Sequence, residues 1–354
     1  MSGRVPAEPR RVLIIKPSAL GDVVTALPVL RALRRAFPDT RIDWIVRDIY
    51  APLLSAEEDL GELLTYDRDL LGRFWKPGEG MRHVRALKKC LRAAGYDWAI
   101  DLQGLLRSGM FAKWTGAPVR AGFADAREGA PLLYTHRFHI PVGEHHTVER
   151  NILLARELGV DARPEDLRLT VPTAARRSVD DLFAENNLPS RGFVALVPPT
   201  TWSTKLYPLR RWRAVAGQLA EDRPTVVLGG PNDTALCAAI AKDIPGVVDL
   251  SGRTDLPRLT AVLAAAEVVV CCDSASKFIA QAVGTPPVVL IGPTIARRTG
   301  PYADADPPGE AVIADVPCQG CLKKQCSHVT CMDLIPLGRV VQAVQSVLQS
   351  AGRE

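Results

Sequence analysis

The run from Arg11 to Thr40, RVLIIKPSALGDVVTALPVLRALRRAFPDT, constrains the fold more than any other stretch of the chain. Val12-Leu13-Ile14-Ile15 is short, apolar and rich in β-branched residues, which reads as a buried strand. Lys16-Pro17-Ser18-Ala19 interrupts it. From Gly21-Asp22 onward, Val24, Leu27, Leu30, Leu33 and Phe37 fall on one helical face, and Pro38 closes that helix. A second strand follows at Ile42-Asp43-Trp44-Ile45-Val46. Strand, tight loop, helix and strand in this order open a parallel α/β sheet, with the loop at the carboxyl edge where such sheets bind ligands. The glycine spacings of a Walker loop or a dinucleotide fingerprint are absent. Asp22 then has two readings, a first-turn carboxylate complementing the helix dipole or a catalytic carboxylate at the mouth of a cleft.

The same alternation runs along the rest of the chain. Trp98-Ala99-Ile100 is a third, buried strand of the first series, and Arg120-Ala121-Gly122-Phe123 marks a turn or short strand. Phe193–Val197, Thr225–Leu228, Glu267–Cys272 and Val288–Ile291 form a second series. Helical patterns cover Met81–Ala94, Val148–Gly159, Ala174–Glu185, Leu209–Leu219 and Leu256–Ala265. With 354 residues, this pattern predicts two doubly wound α/β domains facing a central cleft, over 11–172 and 173–335. Residues 1–10 are polar and proline-bearing and read as disordered. Residues 336–354 read as a C-terminal helix with Val340, Val341, Val344, Val347 and Leu348 along one side, docking on one domain or across both.

Composition narrows the class of function. No apolar run approaches a membrane span and the first ten residues lack a signal-peptide core, so a cytoplasmic protein is expected. The net charge of +5 is mild and argues for no nucleic-acid partner. The charge is uneven, however: Arg68, Arg73, Lys76, Arg82, Arg85, Lys88, Lys89 and Arg92 cluster with Phe74 and Trp75. This is either a solvated helix face or a surface for an anionic membrane or acidic substrate.

Polar residues follow the buried strands in both series: Asp22 in the first, and Thr200, Thr201, Lys205, Asp233, Asp273 and Ser274 in the second. Lys205 is a point charge suited to phosphate, and the neighbouring threonines supply short hydrogen bonds. KPSALGDVVTALPVLRALRRAFP resembles the opening signature of the ADP-heptose:lipopolysaccharide heptosyltransferases, glycosyltransferase family 9. PPTTWSTKLYP resembles their donor-phosphate loop, and CDSASKFIAQAVGTPPVVLIGPTIARRTGPY their sugar-nucleotide segment. ADAREGAPLLYTHRFHIPVGEHHTVER is similar to the acceptor-side segment of the member that adds the first heptose.

The resemblance implies a GT-B fold and inverting transfer of heptose from ADP-L-glycero-D-manno-heptose to the Kdo-lipid A inner core. It also implies a site on the cytoplasmic face of the inner membrane and no cofactor needed for catalysis. Asp22 is then the general base, with Ser18, Gly21 and Arg127 on the acceptor side. Lys205 with Thr200 and Thr201 holds the donor diphosphate, Asp233 lies near the ribose, and Thr254, Asp273, Ser274 and Ala275 complete the donor side. The family pattern Asp-Thr/Ser-Gly-x-x-His becomes Asp273-Ser274-Ala275-Ser276-Lys277-Phe278, so a Cβ stands where backbone approaches phosphate, and Lys277 brings an added charge. Alternatives are a heptosyltransferase with another acceptor or nucleotide sugar, or a non-catalytic sugar-nucleotide-binding homologue.

Of eight cysteines, Cys90, Cys237, Cys271 and Cys272 read as small apolar residues in a reducing compartment. Cys318, Cys321, Cys326 and Cys331 are clustered around His328. Their spacing leaves three readings open: a structural zinc or iron–sulfur site, disulfides, or free thiols.

Overall fold

The computed structural model describes residues 8–72 and 78–351. Residues 1–7, and Arg73, Phe74, Trp75 and Lys76 of the basic cluster, lie outside the described residues. The chain divides between Leu167 and Arg168 into two units, inside the Pro164–Pro172 connection. Pro9 and Arg10, at the end of the stretch read as disordered, are tied down: Thr40 Oγ1 donates to the Pro9 carbonyl, and Arg10 N–H donates to Asp97 at 2.7 Å.

The first unit holds six strands: β1 (Arg11–Ile15), β2 (Arg41–Arg47), β3 (Glu62–Tyr66), β4 (Trp98–Asp101), β5 (Val119–Phe123) and β6 (His136–Phe138). Their spatial order is β3-β2-β1-β4-β5-β6, and every pairing is parallel. The second unit repeats the plan with β7 (Val194–Val197), β8 (Thr225–Val227), β9 (Val247–Asp249), β10 (Val268–Cys272), β11 (Pro287–Ile291) and β12 (Glu310–Ile313). Its order, β12-β11-β10-β7-β8-β9, has the same winding, again with all pairings parallel. In both units the strand order reverses beside the first strand, leaving a crevice at the carboxyl ends of β1 and β4, and of β7 and β10.

The central strands are covered on both faces, which explains their unbroken apolar runs. Leu13, Ile15, Ile45, Tyr66 and Phe111 belong to the first core. Val194, Leu196, Trp212, Val270 and Leu290 belong to the second. The final helix, Leu337–Ala351, buries Val340, Val341 and Val344 in the second core.

Two local expectations are corrected. The helix expected to run unbroken from Gly21 is two helices, Leu20–Val24 and Leu27–Ala36. Pro28 is the reason: it lacks an N–H and would clash with a carbonyl one turn back, but fits a helix's first turn. At the break, the buried Asn151 side chain donates to the Thr25 carbonyl at 2.9 Å and to its hydroxyl at 3.2 Å. The second correction concerns β3, β6, β9 and β12, which the sequence pattern does not mark. They are the four edge strands, short and half-exposed, so they carry no continuous apolar run.

Candidate functional site

In the first unit the loop after β1 is framed by its neighbours in the sheet. Leu102 N–H donates to the Ile15 carbonyl at 3.0 Å and Arg47 N–H to the Pro17 carbonyl at 3.1 Å. The indole of Trp44 donates to the Lys16 carbonyl at 3.3 Å. Lys16 itself is buried and donates to the Leu102 carbonyl at 2.6 Å. Burial lowers its pKa, with the charges of Asp22 and then Asp101 acting in the opposite direction. Lys16 has no assigned role in the sequence reading. Its signal was a lysine closing an apolar strand just before the loop.

Asp22 stands half-buried in the first turn of the helix Leu20–Val24, where its Oδ2 accepts the Ala19 N–H at 3.1 Å. A first-turn carboxylate is thus used by the backbone at the start of its own helix. Ser18 N–H points to the Gln103 side-chain oxygen at 3.4 Å, and Gly21 lies one residue before Asp22. Arg127 is exposed in the loop after β5, and its backbone N–H donates to the Gly104 carbonyl at 2.9 Å. Ser18 and Arg127 thus both meet the loop after β4.

That loop hangs on Asp101, which is fully buried and accepts the Gln103 and Gly104 N–H groups at 2.9 and 3.1 Å and the Tyr134 hydroxyl. Burial raises its pKa, and the hydrogen bonds from Tyr134, Gly104, Ser108 and Gln103 oppose that rise. The pattern Asp-Leu-Gln-Gly after a strand was the sequence signal for it.

In the second unit the crevice between β7 and β10 brings Lys205 and Asp273 into contact. Lys205 Nζ donates to Asp273 Oδ2 at 2.9 Å and to the Asp273 carbonyl at 3.2 Å. Lys277 Nζ donates to Asp273 Oδ1 at 2.6 Å and to the Ser274 carbonyl at 3.0 Å. Burial would raise the Asp273 carboxyl, but Lys277 first and Lys205 second hold it down at about 2. The Ser274 Oγ is buried without a hydrogen-bond partner among the described residues. Ala275 has φ −61° and ψ −28°, ordinary helical backbone that any residue adopts, so the conformation there does not require the family's glycine.

Thr200 and Thr201 precede Lys205 in the same loop, the one half-buried and the other exposed. The Lys205 ammonium lies 4.5 Å from the Trp202 ring centre and Lys324 lies 5.0 Å from it. Asp233 follows β8 and uses Oδ2 to accept Gly230 N–H at 2.9 Å. Thr254 is half-buried after β9, in the loop before the helix Leu256–Ala265. Of the donor-side residues expected from the sequence, Lys205 and Asp273 are the pair joined by a side-chain hydrogen bond among the described residues. Trp202, Lys277 and Lys324 were not assigned to the site. The Lys324 contact joins segments distant in sequence, Trp202 stands three residues before Lys205 in one loop, and the signal for Lys277 is its place four residues after Asp273.

Among the described residues no three His, Cys, Asp or Glu side chains are grouped so as to hold a metal ion, and Cys318, Cys321, Cys326 and Cys331 are free thiols. Cys331 is buried in the apolar core beside Met332 and Cys318 packs against it, whereas Cys321 is exposed. The four still lie near one another: after burial, Cys318, Cys321 and Cys326 help to raise the Cys331 pKa. The segment still touches the donor loop: Thr204 Oγ1 donates to the Lys323 carbonyl at 2.9 Å. In the basic cluster, Arg82, Arg85, Lys88, Lys89 and Arg92 are exposed on the helix Glu79–Ala93. Among the described residues no helix is long and apolar enough to cross a membrane.

Comparison with known proteins places this geometry in a family. The profile described as glycosyltransferase family 9 (heptosyltransferase) matches residues 84–331. Lipopolysaccharide heptosyltransferase 1 of Pseudomonas aeruginosa is 29% identical over 326 residues, covering 90% of this chain and 88% of the relative. Among solved structures, the family 9 glycosyl transferase of Veillonella parvula superposes with a TM-score of 0.81 at 18% identity, covering 99% of each chain. The E. coli heptosyltransferase WaaC with ADP-2-deoxy-2-fluoro heptose gives 0.75 at 25% identity, covering 95% of this chain and 99% of that one. Two doubly wound Rossmann-like units, a family profile spanning more than half of the chain, and near-complete coverage by relatives lead to one conclusion: the chain belongs to glycosyltransferase family 9, the heptosyltransferases, and is a glycosyltransferase of the GT-B fold.

Proposed function

We propose that this glycosyltransferase moves heptose, with inversion, from ADP-L-glycero-D-manno-heptose to the Kdo-lipid A inner core of lipopolysaccharide. The observation that carries the reading is the Lys205–Asp273 contact at the β7–β10 crevice, an ammonium held where an α/β sheet receives phosphate. The ADP-sugar bound in the WaaC structure supports the donor, and the names of the relatives support lipopolysaccharide as the class of acceptor.

In this reading Asp22 Oδ1 takes the proton of the acceptor hydroxyl as that oxygen bonds to the anomeric carbon from the face opposite ADP. The bond from that carbon to the diphosphate breaks, and its electron pair leaves with ADP. Charge building on the departing diphosphate is met by Lys205, with Thr200 and Thr201 hydrogen bonding beside it. Asp233 serves the ribose, Thr254, Ser274 and Ala275 border the donor, and Ser18, Gly21 and Arg127 border the acceptor. The carboxylate of Asp22 also offsets positive charge on the oxocarbenium-like sugar. The exposed arginines and lysines of Glu79–Ala93 suit a phosphorylated acceptor at an anionic inner-membrane surface on the cytoplasmic side.

The test is ADP release from ADP-heptose, with and without Kdo-lipid A, in wild type and Asp22→Ala. Release that needs the acceptor and disappears in the variant supports the reading. Donor binding without turnover would favour a non-catalytic homologue, and release only with another acceptor would move the specificity.

A further inference from the structure

Asp273 is 4% exposed and Lys277 3% exposed, so their contact lies out of reach of bulk water. A single Asp–Lys pair at this place would be neutral. A carboxylate shared between two ammonium groups keeps one positive charge in excess. Each oxygen of Asp273 is used once by a lysine side chain, Oδ1 by Lys277 and Oδ2 by Lys205. The burial of Lys277 is met by Asp273, by the Ser274 carbonyl at 3.0 Å, and by the face of Phe278 at 4.2 Å. Its hydrogen bonds thus end on Asp273 and Ser274, whereas Lys205 is the less enclosed of the two ammonium groups, its side chain 13% exposed against 4%.

We propose that Lys277 is a positioning residue for the donor diphosphate: by neutralising Asp273 from behind, it keeps the positive charge of Lys205 available to the phosphates. The inference rests on the reading of Lys205 as the diphosphate ligand. Without Lys277, Asp273 and Lys205 form a closed, neutral pair, and an incoming diphosphate must compete with a buried carboxylate for the one ammonium group. The buried Ser274 Oγ, next to Asp273 in sequence, has no hydrogen-bond partner among the described residues.

The experiment measures binding of ADP and of adenosine by titration to wild type, Lys277→Gln, Lys277→Arg and the double variant Lys277→Gln/Asp273→Asn. Lys277→Gln is expected to weaken ADP by about tenfold, the scale of one ionic contact in a partly screened site, and to leave adenosine unchanged. Lys277→Arg and the double variant are expected to keep the wild-type ratio of ADP to adenosine affinity, the former by retaining the charge and the latter by removing the carboxylate that traps Lys205.

Undiminished ADP binding by Lys277→Gln overturns the proposal, as does equal weakening of ADP and adenosine, which a merely structural role would produce. Should Lys277→Gln fail to fold, the double variant carries the test, and a fall in its ADP-to-adenosine ratio overturns the proposal. Lys205→Gln separates the two levels of inference. If it retains ADP affinity, the diphosphate role of Lys205 fails. If it loses affinity while Lys277→Gln does not, only the role of Lys277 fails.

Discussion

Lys205 reaches Asp273 twice, through the carboxylate Oδ2 at 2.9 Å and through the backbone carbonyl at 3.2 Å. The second contact ties the lysine to the end of β10 itself, so the loop after β7 and the turn after β10 hold one geometry between them. The pair occupies the point where the second sheet changes winding direction, which is where its parallel strands leave a crevice.

Acid should expose this cluster. The folded Asp273 carboxyl titrates at about 2, below its ordinary value, so the unfolded chain binds its proton first as pH falls. The resulting stabilisation, about 2 kcal/mol, is complete above about pH 4 and is lost as pH falls further toward the folded value. Acid unfolding of Asp273→Asn followed by circular dichroism should therefore depend less on pH in that window than wild type. An identical dependence would count against the assignment.

Asp22 combines a structural and a chemical task, and two substitutions separate them. Asp22→Asn keeps an oxygen for the Ala19 N–H and should melt with wild type while losing about a hundredfold or more in turnover. Asp22→Ala should lose the same turnover and about 1 kcal/mol of stability with the cap. Thermal melts and single-turnover rates check this. Equal turnover in Asp22→Asn and wild type would remove the base role.

Gly122 in β5 is needed for space. A Cβ there would stand 2.4 Å from the Tyr134 ring, whose hydroxyl donates to the buried Asp101. Gly122→Ala should displace Tyr134, leave Asp101 short of a donor, and cost about 1–3 kcal/mol in the first unit. Denaturant melts read the loss. A variant as stable as wild type would mean the ring can move without consequence.

The thiols should divide sharply by reactivity. Burial pushes Cys272 and Cys237 up to about 12, and Cys271 also rises for that reason. Backbone N–H groups of His328 and Val329 lower Cys326, which is not sealed in the core. At pH 8 a thiol reagent should label Cys326 early and leave Cys237, Cys271 and Cys272 intact until unfolding. Mass spectrometry of timed samples checks the order, and early labelling of Cys271 would contradict the packing of β10.

The parts of this fold legible beforehand share one physical property. Strands β1, β2, β4, β7, β10 and β11 are buried on both faces, so their composition alone separates them from their surroundings. The edge strands β3, β6, β9 and β12 owe their conformation to one neighbour each, and a segment such as Glu62–Tyr66 carries no comparable signal. Pro28 was visible in the sequence, but its effect, a restart of the helix held by Asn151, depends on a side chain 126 residues away from Thr25.

The sequence by itself determined the parallel α/β class, the duplication of the series and the position of polar residues just after buried strands, because burial and chain periodicity are local properties. Only the tertiary structure decided that Asp273 is shared by two lysines, that Asp101 is a loop anchor, and that Cys331 packs into the second core. Those outcomes turn on which groups meet across the sheet and how much water is excluded from them, and neither quantity is written along a single strand.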